Sequence, residues 1–130
     1  MPLKQPQKED YDFQIGFFES IYKRDNKEVR IIEILGHLYT VTKQYKLGLK
    51  MERLLVHHKP EDSISHYNLA CSYSLVEDTS NTIKYLTLAV ELGYDDFEWM
   101  NKDPDLDFIR EDPEFLQILI SIKKPEDPFI

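Results

Sequence analysis

Leu35-Gly36-His37-Leu38-Tyr39 and Leu69-Ala70-Cys71-Ser72-Tyr73 are one phrase written twice, 34 residues apart. In each, a Leu, a small residue and a Tyr stand at i, i+1 and i+4. Leu and Tyr at that spacing share one face of an α-helix. The correspondence extends outward at the same period. Leu49 and Lys50 fall on Ile83 and Lys84, and Leu55 and Val56 fall on Ala89 and Val90. In the other direction, Tyr45, Leu47, Leu49 and Leu55 fall on Tyr11, Phe13, Ile15 and Ile21. A fixed period of this length marks one supersecondary unit used repeatedly.

Each unit reads as two helices. Ile31, Ile32, Ile34, Leu35, Leu38 and Tyr39 recur at helical spacing, as do Leu47, Met51, Leu54 and Leu55, with Lys43-Gln44 as the turn between the two sets. Pro60 stops the second helix, and Asp62 or Ser63 can cap the next. The second unit repeats the pattern with Ile64, Tyr67, Leu69 and Tyr73, then Ile83, Leu86, Ala89 and Leu92. Glu77-Asp78-Thr79-Ser80 is its internal turn, and Gly93, tolerant of left-handed dihedrals, ends it.

Leu35-Gly36-x-x-Tyr39 followed by Pro60, and Leu69-Ala70-x-x-Tyr73 followed by Ala89, resemble the tetratricopeptide repeat. The resemblance covers two repeats, about residues 29–96, and has a physical logic. The small residue lets two helices approach, Leu and Tyr fill the groove against the neighbour, and the terminal Pro sets the next turn. It implies an all-α fold of antiparallel helix pairs, stacked as a short right-handed superhelix. The implied organisation is a single domain over 11–122, made of a half-repeat over 11–28, repeats over 29–62 and 63–96, and a C-terminal cap over 97–122. Residues 1–10 and 123–130 read as loose tails. Departures from the family pattern are Gly48 and Thr82 where a second Ala is usual, Glu52 at a usually aromatic position, and Tyr94 in place of a second terminal Pro. Beyond residue 96 the period breaks, since Leu69 and Ala70 map onto Asp103 and Pro104. That segment resembles the closing element found after such repeats in many bacterial proteins. A short helix near Trp99, a turn and a last helix over about 113–122 are expected there.

Composition narrows the function. The 130 residues carry a net charge of -8, and no apolar run approaches the roughly 20 residues that cross a bilayer. The polar start, Met1-Pro2-Leu3-Lys4-Gln5-Pro6, lacks an apolar h-region, and the single cysteine has no partner for an internal disulfide, so a cytoplasmic setting is expected. Residues 93–130 hold 4 basic and 11 acidic side chains, against 12 and 13 in residues 1–92. Nucleic acid and anionic membranes need Lys and Arg to displace counterions, so neither is an expected partner. The acidic end reads as a solvating cap, with attraction of a basic partner as the alternative.

No constellation points to catalysis, a metal or another cofactor. Asp103-x-Asp105-x-Asp107 with Glu114 imitates calcium-loop spacing, but Phe108 stands where the loop needs Gly. His57, His58, His66 and Cys71 lack the spacing of a zinc set, and the two adjacent histidines suit a helix C-terminus. Cys71 has no nucleophile motif, and no two of the four glycines lie close enough for a phosphate loop. Of the aromatic residues Phe17, Phe18, Tyr22, Tyr67 and Trp99, most read as interhelical core, with the others as anchors of a binding face.

In the tetratricopeptide family the first helix of each repeat lines a concave groove. The resemblance puts Arg30, Glu33, Ile34, His37, Ile64, Tyr67, Asn68, Cys71 and Leu75 on it. Some members grip a peptide carboxylate there, and Asn68 matches one Asn of that clamp, but Glu33 opposes an anion. Ile34, Ile64, Tyr67 and Leu75 suit an apolar helix or an extended segment. The expected function is protein–protein interaction, with another protein's peptide or helix as ligand. A homo-oligomeric scaffold joined through the groove or the open N-terminal face is the alternative.

Overall fold

The computed structural model describes residues 8–125, so the expected tails fall largely outside the described residues. Among the described residues there are seven α-helices, one 3-10 helix and no strand. The chain divides into two compact units, residues 1–58 and 59–130. Each is built from helices packed pairwise, the all-helical fold that the 34-residue period predicts.

The first unit holds α1 (Lys8–Arg24), α2 (Val29–Val41) and α3 (Tyr45–His58). Its core gathers Ile15 from α1, Ile32, Leu35, Leu38 and Tyr39 from α2, and Met51 and Leu55 from α3. Two glycines set the approach of α2 to α3. A Cβ on Gly36 would stand 3.1 Å from Glu52 Oε1 and 3.4 Å from Met51 Cβ. A Cβ on Gly48 would stand 2.9 Å from Thr40 Oγ1, which donates a 2.9 Å hydrogen bond to the Gly36 carbonyl. The Tyr39 hydroxyl donates to Glu19 Oε2 at 2.7 Å and ties α1 to α2.

The turns show the repeat in the backbone itself. Gln44 N–H donates to the Tyr39 carbonyl at 2.7 Å, and Asp78 N–H donates to the Tyr73 carbonyl at 3.0 Å. These are equivalent positions 34 residues apart. Lys43 and Glu77 occupy the same left-handed site, each with φ of 62°. This is the usual way to close a helix C-terminus, here made without glycine.

The second unit holds α4 (Ser63–Leu75), α5 (Thr79–Glu91), α6 (Phe97–Lys102), the 3-10 helix Pro104–Ile109 and α7 (Pro113–Ile122). Aspartates start these elements by accepting backbone N–H groups otherwise left open. Asp62 accepts from Ser65, Asp78 from Asn81, Asp96 from Trp99, Asp103 from Asp105, and Asp112 from Glu114 and Phe115. Four of these carboxylates, all but that of Asp103, are exposed or half-buried. Ala70, Leu86, Ala89, Met100, Leu106 and Phe115 are buried to nothing in one apolar cluster that joins the helix pair to the elements after it.

Candidate functional site

Gly93 begins the site. Its φ of 109° turns the chain off the end of α5, and Tyr94 N–H donates back to the Ala89 carbonyl at 2.9 Å. The turn lays the Tyr94 ring flat on Tyr67, with centroids 4.2 Å apart and planes 7° from parallel. Asp95 and Asp96 follow, and Asp96 caps α6. On that short helix Met100 points inward while Trp99 stays 44% exposed.

Behind this surface lies a buried polar knot. Asp103 closes α6 and opens the 3-10 helix, which packs on α4. Its Oδ2 accepts from the Tyr67 hydroxyl at 2.6 Å and from Cys71 Sγ at 3.6 Å, and its Oδ1 accepts the Asp105 N–H at 3.0 Å. The Arg110 guanidinium donates to the carbonyls of Asn101 and Asp103 and holds the cap closed. Burial pushes the Cys71 thiol well above its ordinary range, and the charges of Asp103 and Asp105 push it further. Only 6% exposed, Cys71 serves as a packing residue. Burial likewise raises Tyr67, with Cys71 and the Asp103 hydrogen bond adding to it.

Two of the expected groove residues are buried. Tyr67 is only 3% exposed and Cys71 is buried, because the 3-10 helix covers the face of α4 that the resemblance left open. Tyr73, expected in the core, is half-buried and stacks on Tyr85 at 5.5 Å. Ile64 and Asn68 are exposed and Leu75 is half-buried. In the first unit Arg30, Glu33 and His37 are exposed along α2, while Ile34 is half-buried and packs on the core.

Ile64, Asn68 and the edge of Tyr67 line a cleft of about 450 Å³ with Gly93, Tyr94, Asp95, Asp96, Trp99 and Ser63. Its α4 wall carries Ile64, Tyr67 and Asn68 of the expected groove residues, and its opposite wall, Gly93 to Trp99, carries none of them. Trp99 stood out as an aromatic in the sequence, but its pairing with Ile64 depends on the turn at Gly93. Asp103 belongs to the acidic end that reads as a solvating cap, yet it is buried, and no pattern in the sequence links it to Tyr67, 36 residues earlier. His57 and His58 sit exposed in the last turn of α3. His66 is buried, with Nε2 2.8 Å from the Pro60 carbonyl. The arrangement offers a mixed apolar and acidic surface.

No family model matches the chain. It is 30% identical over 98 residues to a chloroplastic protein of Arabidopsis thaliana, a match covering 73% of this chain. The chain spans 28% of the length of that curated relative. Among solved structures it is similar to MamA, a tetratricopeptide-type helical repeat protein. A crystal structure of MamA superposes with a TM-score of 0.70 at 20% identity, covering 89% of this chain and 70% of that one. MamA from Desulfovibrio magneticus RS-1, residue 41 to the end, gives 0.69 at 22% identity, covering 87% and 66%. These likenesses establish the tetratricopeptide-type fold.

Proposed function

We propose that the chain is a protein-interaction module and that the cleft between α4 and α6 receives a segment of the partner. The observation that supports this most is exposure of large apolar groups around a concavity. Ile64 is 54% exposed at one wall and Trp99 stands at the other, with Asn68 between them as donor and acceptor. Aromatic anchors beside a pocket are where binding energy concentrates. The helical-repeat fold shared with MamA agrees with a holding role rather than a chemical one.

A photo-crosslinking residue placed at position 68 or 99 should capture the same protein from a cell extract. The same residue at Ser80, exposed on α5 away from the cleft, should not. Asn68→Ala and Trp99→Ala should weaken that capture and keep stability within about 0.5 kcal/mol, as exposed substitutions do. Equal capture from position 80, or none from 68 and 99, would remove the cleft from consideration.

A second reading, self-association through the first unit, is favoured by one observation. Phe13 and Phe17, one helical turn apart on α1, are 76% and 52% exposed. A pair of phenyl rings in water on one face is an uncovered apolar patch.

A further inference from the structure

The cleft has apolar walls and an anionic rim. Asp95 and Asp96 line it, both exposed, and Glu98 stands exposed in the first turn of α6. Among the described residues, no Lys or Arg lines it. Asp96 uses one oxygen to cap α6, accepting the Trp99 N–H at 3.0 Å. The same two aspartates also line a neighbouring cleft of about 460 Å³, with Phe97, Glu98, Lys123 and Lys124. There the chain supplies its own cation, and Lys123 Nζ lies 5.8 Å from the centroid of the Phe97 ring. One side of the Asp95-Asp96 pair thus already has an ammonium on an aromatic ring. The other side presents Trp99 and carboxylates with no cation among the described residues.

We infer that the cleft takes a cationic segment of its partner, with a Lys or Arg between Asp95, Asp96 and Trp99 and an adjacent aliphatic side chain against Ile64. This rests on the reading of the cleft as the binding surface. An ammonium or guanidinium near an indole and a carboxylate pair gains from both, more so as water leaves. The 11 acidic against 4 basic side chains of residues 93–130 add a field that draws a basic segment in and repels an acidic one. Such a preference is opposite to that of a carboxylate-gripping groove.

Trp99 is the single tryptophan, so its emission reports occupancy directly. The full chain is titrated with two synthetic peptides, one repeating Leu-Lys-Ser and the other Leu-Glu-Ser. The lysine peptide should shift the emission saturably, and raising NaCl from about 0.05 M to about 0.3 M should weaken it about tenfold. The glutamate peptide should leave the emission unchanged. Asp95→Asn with Asp96→Asn, which keeps a capping side chain, should lose about tenfold in affinity without a change in melting. Equal response to both peptides, salt-independent binding, full affinity in the double variant or silence toward the lysine peptide would each overturn the inference. If crosslinking at positions 68 and 99 still captures a partner in that case, the cleft stands and only its charge preference falls. If crosslinking fails as well, the cleft itself is the wrong surface.

Discussion

The Tyr67 hydroxyl shares a buried site with the Asp103 carboxylate, and that pairing makes the side chain sensitive to small changes. Tyr67→Phe keeps the ring on Tyr94 but leaves Asp103 short of a donor, which should cost about 1–3 kcal/mol. Tyr67→Ala removes the ring as well and should cost about 3–5 kcal/mol. Urea midpoints of the two variants check both values, and a silent Tyr67→Phe would mean that solvent reaches Asp103. Glu52 is the second sensitive residue. Burial, with the Glu33 carboxylate adding to it, pushes its pKa from 4.5 up to about 7, and its Oε2 has no hydrogen-bond partner among the described residues. As pH rises from 4.5 to about 7, the unfolded chain releases a proton that the folded chain retains, so stability falls across that window and then levels. Glu52→Gln should abolish the fall. Melting curves should show the variant more stable by on the order of 2 kcal/mol near neutrality and above, with little difference near the lower end of the window.

Among the elements, the α2–α3 pair depends on the absence of side chains at Gly36 and Gly48. Gly36→Leu would force a branched group into a space where even a Cβ meets Glu52 and Met51, at 3.1 and 3.4 Å. Overpacking of this kind costs about 1–3 kcal/mol, and a lowered thermal midpoint checks it. Gly36→Ala should be milder, because the Glu52 carboxylate can swing aside. The helices themselves were largely legible in the sequence, since their apolar period and Asp caps are local. The C-terminal elements were legible as elements too. Asp103-Pro104 where the period expects Leu-Ala announced a break, and a helix over 113–122 was expected where α7 stands. Which face those elements would cover was not legible, although Ser63–Leu75 carries no Asp, Glu, Lys or Arg and so marks a helix with little solvent face.

For the whole molecule, the uncovered apolar surface on α1 has a measurable consequence. If Phe13 and Phe17 meet a second copy, sedimentation velocity should show a coefficient rising with protein concentration. Phe13→Ser with Phe17→Ser should remove that rise while leaving the fold intact, since both side chains are exposed. A flat coefficient in the wild-type chain would discard self-association and leave the cleft as the functional surface. The two surfaces are chemically unlike, phenyl rings on the first unit and an acidic, tryptophan-bearing cleft on the second.

The sequence by itself determined the all-helical fold, the helix pairing and the turn positions. These follow from periodicity, small residues at contacts and capping chemistry, all read within a few residues of one another. It also determined that the C-terminal third would be acidic. Only the tertiary structure decided that Cys71 is buried, that Tyr67 shows just 3% of its surface beside the cleft, and that Asp103 is the partner of Tyr67. Only the tertiary structure, too, brought Trp99 across from Ile64. The physical reason is common to all three. Each depends on a contact between segments about 30 residues apart, made after Gly93 reverses the chain, and helical periodicity is the same for a face that meets water and a face that meets a cap.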